Sequence, residues 1–282
     1  MLRAMRSWIV GAVALAGVIT ATLTSTDARA FCRTTTVHAP SGYDPSQSGC
    51  WTQGTPLAWP SGQTVPYSLA SNASKQIDLA DATAIAHEAF AQWDDAPCKE
   101  GAPTVQAYDN GPVDAALVAT DCGLNQCDPT VHDGLHMIVF RDDQWPHSDP
   151  VNTLALTTVT YGIETGTIFD ADIEVNTAQH TITAMDPPSP GTVALRAILT
   201  HEAGHFFGLA HATDTSSIMF WQYQPGAIDL TADDIGGVCA VYTPTKAKDG
   251  CGVTPGGGGG AAGMFGVALF MWGALARRRR TS

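Results

Sequence analysis

A chain of 282 residues, 44% hydrophobic and 15% charged, carries enough apolar matter for one packed domain of roughly 150 to 200 residues, which excludes a disordered polymer. Its formal charge of -13 arises from 27 acidic residues against 14 basic ones. That balance excludes nucleic acid and anionic headgroups as partners of the folded part, because both require clustered Lys and Arg.

In chain order, residues 1–30 place Arg3 and Arg6 ahead of an apolar run at 8–19 and the small-residue ending Ala28-Arg29-Ala30. This is the layout of a cleaved export signal, so the mature chain is expected to begin at Phe31; the run is short for a membrane-spanning helix, which needs about 20 residues. Export permits disulfides. Of the seven cysteines, Cys32, Cys50, Cys98, Cys122, Cys127 and Cys239 lie in or beside the expected domain and can pair, while Cys251 is left over. No Cys-x-x-Cys pair is present, so disulfides rather than a zinc knuckle are expected. Residues 31–54, rich in Thr, Ser, Gly and Pro, read as a loop-like segment stapled by one disulfide.

The main folded domain is expected over 55–243. Residues 64–69 read as a strand, and 79–93 as a helix, with Leu79, Ala82, Ile85, Ala86, Ala89, Phe90 and Trp93 at helical spacing. Strands are expected at 104–108, 135–140, 154–161 and 167–175, separated by Gly, Pro, Asn and Asp turns. A long helix over 192–209 follows the breaker run Pro187-Pro188-Ser189-Pro190-Gly191, and Thr231 caps a last helix through 242. The fold class is therefore α+β, with a mixed sheet. Beyond it come a Gly-rich linker at 244–260 and a tail at 261–282 made of an apolar run and Arg277 to Arg280.

Residues 201–211 read HEAGHFFGLAH. His201 and His205, four apart on a helix, present two imidazoles on one face to one metal. Glu202 points around the helix, where it can act as general base on a water without displacing it. Gly208 accepts the backbone angles that end a helix and turn the chain back, bringing in His211. Three histidines leave the fourth position of a zinc open, which is the arrangement for hydrolysis rather than for a closed structural site. A single histidine here would read as a buried or capping residue. The set does not, since a chance H-E-x-x-H is expected in about one such chain in two hundred, and the added Gly and His lower the odds further. His87-Glu88 starts the same pattern but meets Ala91 where the second His belongs.

Together with Ser216-Ser217-Ile218-Met219, this stretch resembles the metzincin clan, and within it the bacterial matrixin-like metallopeptidases, over residues 56–242. The resemblance implies a metzincin-like catalytic domain with a twisted mixed sheet, a long active-site helix and a C-terminal helix. It also implies a catalytic Zn2+ on His201, His205 and His211, Glu202 as base, Met219 as an apolar floor beneath the histidines, and protein or peptide substrates. It implies further that the strand around 167–176 borders the cleft and pairs with an extended peptide, and that Asp170, Asp172 and Glu174 are candidate ligands for a structural Ca2+, beside the plainer reading of solvated turn acids. The chain departs from the family in lacking the pro-segment cysteine motif and the spacing of the structural zinc site. Tyr223 stands four residues after Met219 rather than two, so a tyrosine ligand is not carried over, and Cys50 is assigned to a disulfide rather than to capping the metal. Cys251, the apolar run and the Arg cluster resemble the C-terminal sorting signals of myxobacterial surface proteins, with a short hydrophobic helix and either removal, lipid attachment or membrane anchoring. The expectation is a monomeric enzyme, secreted or held at the surface or outer membrane of a bacterium.

Overall fold

A computed structural model describes residues 31–114, 134–243 and 265–273. Cys122, Cys127, Cys251, the export signal and the Arg cluster lie outside the described residues. Among those described, the elements run β1 (Cys32–Arg33), α1 (Pro45–Ser48), β2 (Thr64–Leu69), α2 (Leu79–Asp94), β3 (Gln106–Asp109), β4 (Met137–Phe140), β5 (Thr153–Gly162), β6 (Ile168–Val175), β7 (Ile182–Thr183), β8 (Val193–Ala194), α3 (Leu195–Phe206), β9 (Leu209–Ala210), α4 (Ala232–Tyr242) and β10 (Phe265–Gly273).

The main sheet has the order β10-β5-β6-β4-β2-β3. The strands β3, β2, β4 and β6 run parallel, whereas β5 is antiparallel to β6 and β10 antiparallel to β5. The fold is the expected α+β arrangement with a mixed sheet. Two small pairs complete it, β1 with β9 and β7 with β8.

Helix α2 starts where Asp78 accepts from the Asp81 backbone N–H, and it buries Ala82, Ile85, Ala86, Ala89, Phe90 and Trp93, the face that the spacing marked out. Phe90 stacks on Tyr67 of β2 at a centroid distance of 4.2 Å and meets Phe206 of α3 edge-on at 5.1 Å. Such aromatic contacts add about 0.5 to 1.5 kcal/mol each beyond the area they bury. Trp93 donates its Nε1–H to the Thr200 carbonyl at 2.8 Å, so the two long helices are tied by a polar bond inside an apolar interface. At the far end of α3, Trp59 Nε1 donates to the Phe206 carbonyl and the Tyr242 hydroxyl to the Phe207 carbonyl, at 2.8 and 2.9 Å. These donors satisfy carbonyls that a helix C-terminus leaves open, and they lock α3 to the start of the domain and to α4.

Two disulfides close the described part, Cys32–Cys50 across the N-terminal segment and Cys98–Cys239 between the loop after α2 and α4. The first is the staple expected for 31–54, and it removes Cys50 as a thiolate. Two expectations change. Helix α3 begins at Leu195 rather than 192, because Val193 and Ala194 pair with β7 as an extended strand, and it ends at Phe206, because Leu209 and Ala210 pair with β1. The apolar tail contributes a strand, β10, where a short helix was expected. Among the described residues, no helix is long and apolar enough to cross a membrane.

Candidate metal centre

Every residue of α3 from Ala197 to Phe206 is buried, including His201, Glu202 and His205. Burying three polar side chains on one helix is costly unless each is partnered, so the partners identify the site's design. His201 directs Nδ1 to the Ile218 carbonyl at 2.6 Å, and His205 directs Nδ1 to the Leu209 carbonyl at 2.8 Å. A carbonyl only accepts, so each Nδ1 carries the proton and each Nε2 keeps its lone pair. Those two Nε2 atoms face each other 3.1 Å apart. Two acceptor nitrogens held that close, with no proton to share, form a socket for a cation.

The chain after Phe206 supplies the third imidazole. Gly208 has φ +83°, and a side chain there would meet the Leu57 carbonyl oxygen at 2.7 Å, so both the turn and the close approach demand glycine. The reversal brings His211 back, with ring centroids 5.3 Å from His201 and 4.9 Å from His205. One ligand atom from each of the three lies within 4.8 Å of the others, and His211 Nε2 is buried without a hydrogen-bond partner. The donor set therefore fits a zinc ion: three neutral imidazole nitrogens converge, one of them otherwise orphaned. Burial, reinforced by the neighbouring imidazoles, lowers His201 and His205 well below the ordinary histidine range, and burial lowers His211 to about 4. All three are neutral ligands at pH 7.

Glu202 has one oxygen tied and one free. Oε2 accepts from the Thr157 hydroxyl of β5 at 2.5 Å, while Oε1 is buried with no partner. Burial pushes its carboxyl up to about 8, against the opposing pull of the Thr157 hydroxyl. The sequence singles out Glu202 but not Thr157, because a Thr in a β-branched strand looks like any other and only the packing of sheet on helix reveals it.

Met219 sits directly beneath α3. An added side-chain carbon at Gly204 would lie 2.2 Å from Met219 Sδ, so glycine is what allows the methionine so near the helix backbone. The Ala212 N–H donates to the Met219 carbonyl at 2.9 Å, joining this turn to the residue after His211. Asp234, fully buried at the start of α4, accepts from the Ile218 N–H at 3.1 Å, from the Thr231 N–H at 2.8 Å and from the hydroxyls of Ser217 and Thr231. Tyr223 is elsewhere, its hydroxyl accepting from the Ala194 N–H at the start of α3.

The strand around 167–176 is not the edge that the resemblance implied. β6 lies between β4 and β5 and pairs on both sides, so it has no open backbone to offer; the neighbouring β5 flanks Glu202 and carries β10 on its outer side. The acids on β6 are held by protein donors. Asp170 faces His136 Nδ1 at 2.7 Å, Asp172 accepts from the Met137 N–H at 2.8 Å, and Glu174 binds Arg141 and His147 at 2.5 and 2.8 Å. These pairs fasten β6 to β4 and to the loop after it, and they supply no open cage of oxygens for calcium. Among the described residues, the three histidines are the one cluster of three or more His, Cys, Asp or Glu within reach of a single ion.

Residues 136–243 match the family model described as Matrixin, Peptidase_M10. This stretch is similar to the matrixins. The match takes in β4 to α4 and all of His201, Glu202, His205, His211 and Met219, and it starts later than the resemblance over 56–242, leaving β2, α2 and β3 ahead of it. The chain is similar to the metalloendoproteinase 1-MMP of Arabidopsis thaliana, 41% identical over 54 residues that cover 18% of this chain and 15% of that protein. It is similar to the interstitial collagenase of Bos taurus, 42% identical over 53 residues, covering 18% and 11%. A probable matrix metalloproteinase of Invertebrate iridescent virus 3 is 34% identical over 101 residues, covering 36% and 26%. The alignments thus span about a quarter or less of each relative's length.

Proposed function

We propose that this chain is an exported zinc-dependent endopeptidase that hydrolyses peptide bonds in extended segments of protein substrates. The observation that carries the reading is the convergence of three neutral imidazole nitrogens beside a buried carboxylate oxygen, Glu202 Oε1, that has no partner of its own. The names of the relatives, among them a metalloendoproteinase and an interstitial collagenase, support the same reading.

His201, His205 and His211 would hold the metal. When bound, zinc supplies a Lewis acid that polarises a peptide carbonyl and makes a water acidic near neutral pH. The rest falls to the chain. Thr157 fixes Glu202 by Oε2, so that Oε1 alone faces the reacting groups. Glu202 takes a proton from the attacking water and returns it to the leaving amine, a relay for which its untied Oε1 is the available atom. The buried setting of α3 keeps bulk water out and sharpens each of these interactions. The substrate's main chain is aligned by strand pairing.

Export and a bacterial surface location rest on the N-terminal signal layout and on the sorting-type tail with Cys251 and Arg277 to Arg280, and two disulfides agree with an oxidising compartment. Mass spectrometry of surface-located protein tests the tail: an intact Arg277 to Arg280 end would contradict removal. The catalytic assignment is tested by Glu202→Gln, which keeps shape and both metal and Thr157 contacts. Bound zinc with turnover reduced by about a thousandfold or more is expected, and wild-type cleavage by this variant would defeat the assignment.

A further inference from the structure

The outer edge of β5 is taken, and what takes it is the chain's own tail. β10 pairs antiparallel with β5 from Phe265 opposite Gly162 to Gly273 opposite Thr153. The register sets Phe270 opposite Thr157, the residue whose hydroxyl binds Glu202. The Phe270 ring lies flat on the His205 imidazole, with centroids 4.3 Å apart and planes inclined by 16°. Beside it runs a slot walled by Val37, His38 and Trp51 of the disulfide-stapled segment and by Ala210, with Phe270 as a further wall. An added strand on a sheet edge is also how an extended peptide binds, main chain to main chain.

We infer that β10 is a built-in inhibitor, occupying the strand position of a peptide substrate and laying Phe270 over His205 of the histidine triad. This rests on the peptidase reading. Three features separate it from an ordinary sixth strand. Its Phe270 ring, besides packing against the domain core, lies flat on the imidazole of a candidate metal ligand. Pairing along the whole of β5, the strand passes opposite Thr157, the hydrogen-bond partner of Glu202. By sequence it follows residues 244–264, whose five consecutive glycines, Gly256 to Gly260, bring no side chains with which to anchor it. Loss or displacement of the tail would then unmask the site, and the same cut that releases a sorting tail would serve as activation.

The test uses the full-length zinc-loaded protein and two variants, Phe270→Asp, which removes the ring, and Ala268→Pro, which breaks the ladder without touching the site. Three quantities are read: hydrogen exchange of the amides in β5, the rate at which a chelator withdraws zinc, and cleavage of a quenched fluorescent peptide. If the closed form dominates by about ten to one, both variants lose zinc to the chelator and cleave peptide about tenfold faster, and in Ala268→Pro the β5 amides lose protection. If amide exchange and zinc release rise while no form cleaves any peptide, the strand's cover over the metal site stands, and the peptidase reading falls together with the inhibition. Unchanged zinc release and cleavage in both variants, whatever the amides do, would overturn the inference.

Discussion

Gly204 lies between the metal-binding helix and the turn beneath it, and replacing it with alanine sets two opposing effects against each other. Alanine in a helix interior gains about 1 kcal/mol over glycine through backbone entropy. Against that, the new methyl would sit 2.2 Å from Met219 Sδ, 2.9 Å from its Cε and 2.8 Å from Trp93 Cζ2. Ordinary contact needs about 3.5 to 4.0 Å, so one neighbour must retreat by more than about 1 Å. Trp93 cannot, because its Nε1 is bonded to the Thr200 carbonyl of the same helix and its side chain is fully buried. Met219 must move, and with it Ile218, whose carbonyl orients His201. Overpacking this severe lies at the upper end, about 2 to 3 kcal/mol, of the usual range, so Gly204→Ala should destabilise by about 1 to 2 kcal/mol net and weaken zinc binding as well. Urea unfolding of the metal-free protein and zinc competition titrations measure the two effects. Met219→Ala alone should cost about 2 to 4 kcal/mol for its cavity, and the double variant should be more stable than the sum by about 1 kcal/mol or more, since the methyl then fills the space. Equal or higher stability of Gly204→Ala, or strict additivity in the double variant, would refute the reasoning.

Other consequences are as concrete. Asp94 accepts from the Ala107 N–H at 2.9 Å, yet burial, helped by the charge of Asp95, raises its carboxyl to about 7. A raised acid favours the fold when protonated, so this contribution is complete below the unfolded value of 3.8 and is lost as pH rises through about 7. Asp94→Asn should therefore match the wild type in acid and exceed it by about 2 to 4 kcal/mol at pH 8, as read by urea midpoints; a pH-independent difference would count against it. Asp234→Asn puts an amide among the donors of Ile218, Thr231 and Ser217, and should cost about 2 to 4 kcal/mol and loosen zinc binding, with unchanged affinity as the contrary result. The Cys98–Cys239 bridge spans 141 residues and Cys32–Cys50 spans 18. On loop entropy, replacing the first pair by alanines should cost about 5 kcal/mol and the second about 3, and the reverse order in thermal unfolding would contradict that account.

The candidate metal-binding stretch is legible in the sequence because its chemistry is local. Helical spacing, a glycine stop and a returning histidine are all set within residues 201–211, and periodicity marked the buried face of α2 almost to the residue. What escaped was non-local. Thr157 reaches Glu202 only through the packing of β5 on α3, and Asp234 reaches Ser217 and Ile218 only through the return of α4. The ends of α3 were drawn too wide because two-residue strands, Val193–Ala194 and Leu209–Ala210, are too short to show a period of two. The tail was read as a helix because a continuous apolar run carries no periodicity, and only an available sheet edge decides between helix and strand.

The central claim is that three histidines and Glu202 make a zinc peptidase, and the measurement that meets it most directly is casein cleavage by zinc-loaded full-length protein and by its Phe270→Asp form. The account expects one zinc per chain and cleavage by at least the Phe270→Asp form, abolished by a chelator, restored by added zinc and absent once Glu202→Gln is introduced. Stoichiometric zinc with no cleavage by either form, or cleavage indifferent to the chelator, would contradict it.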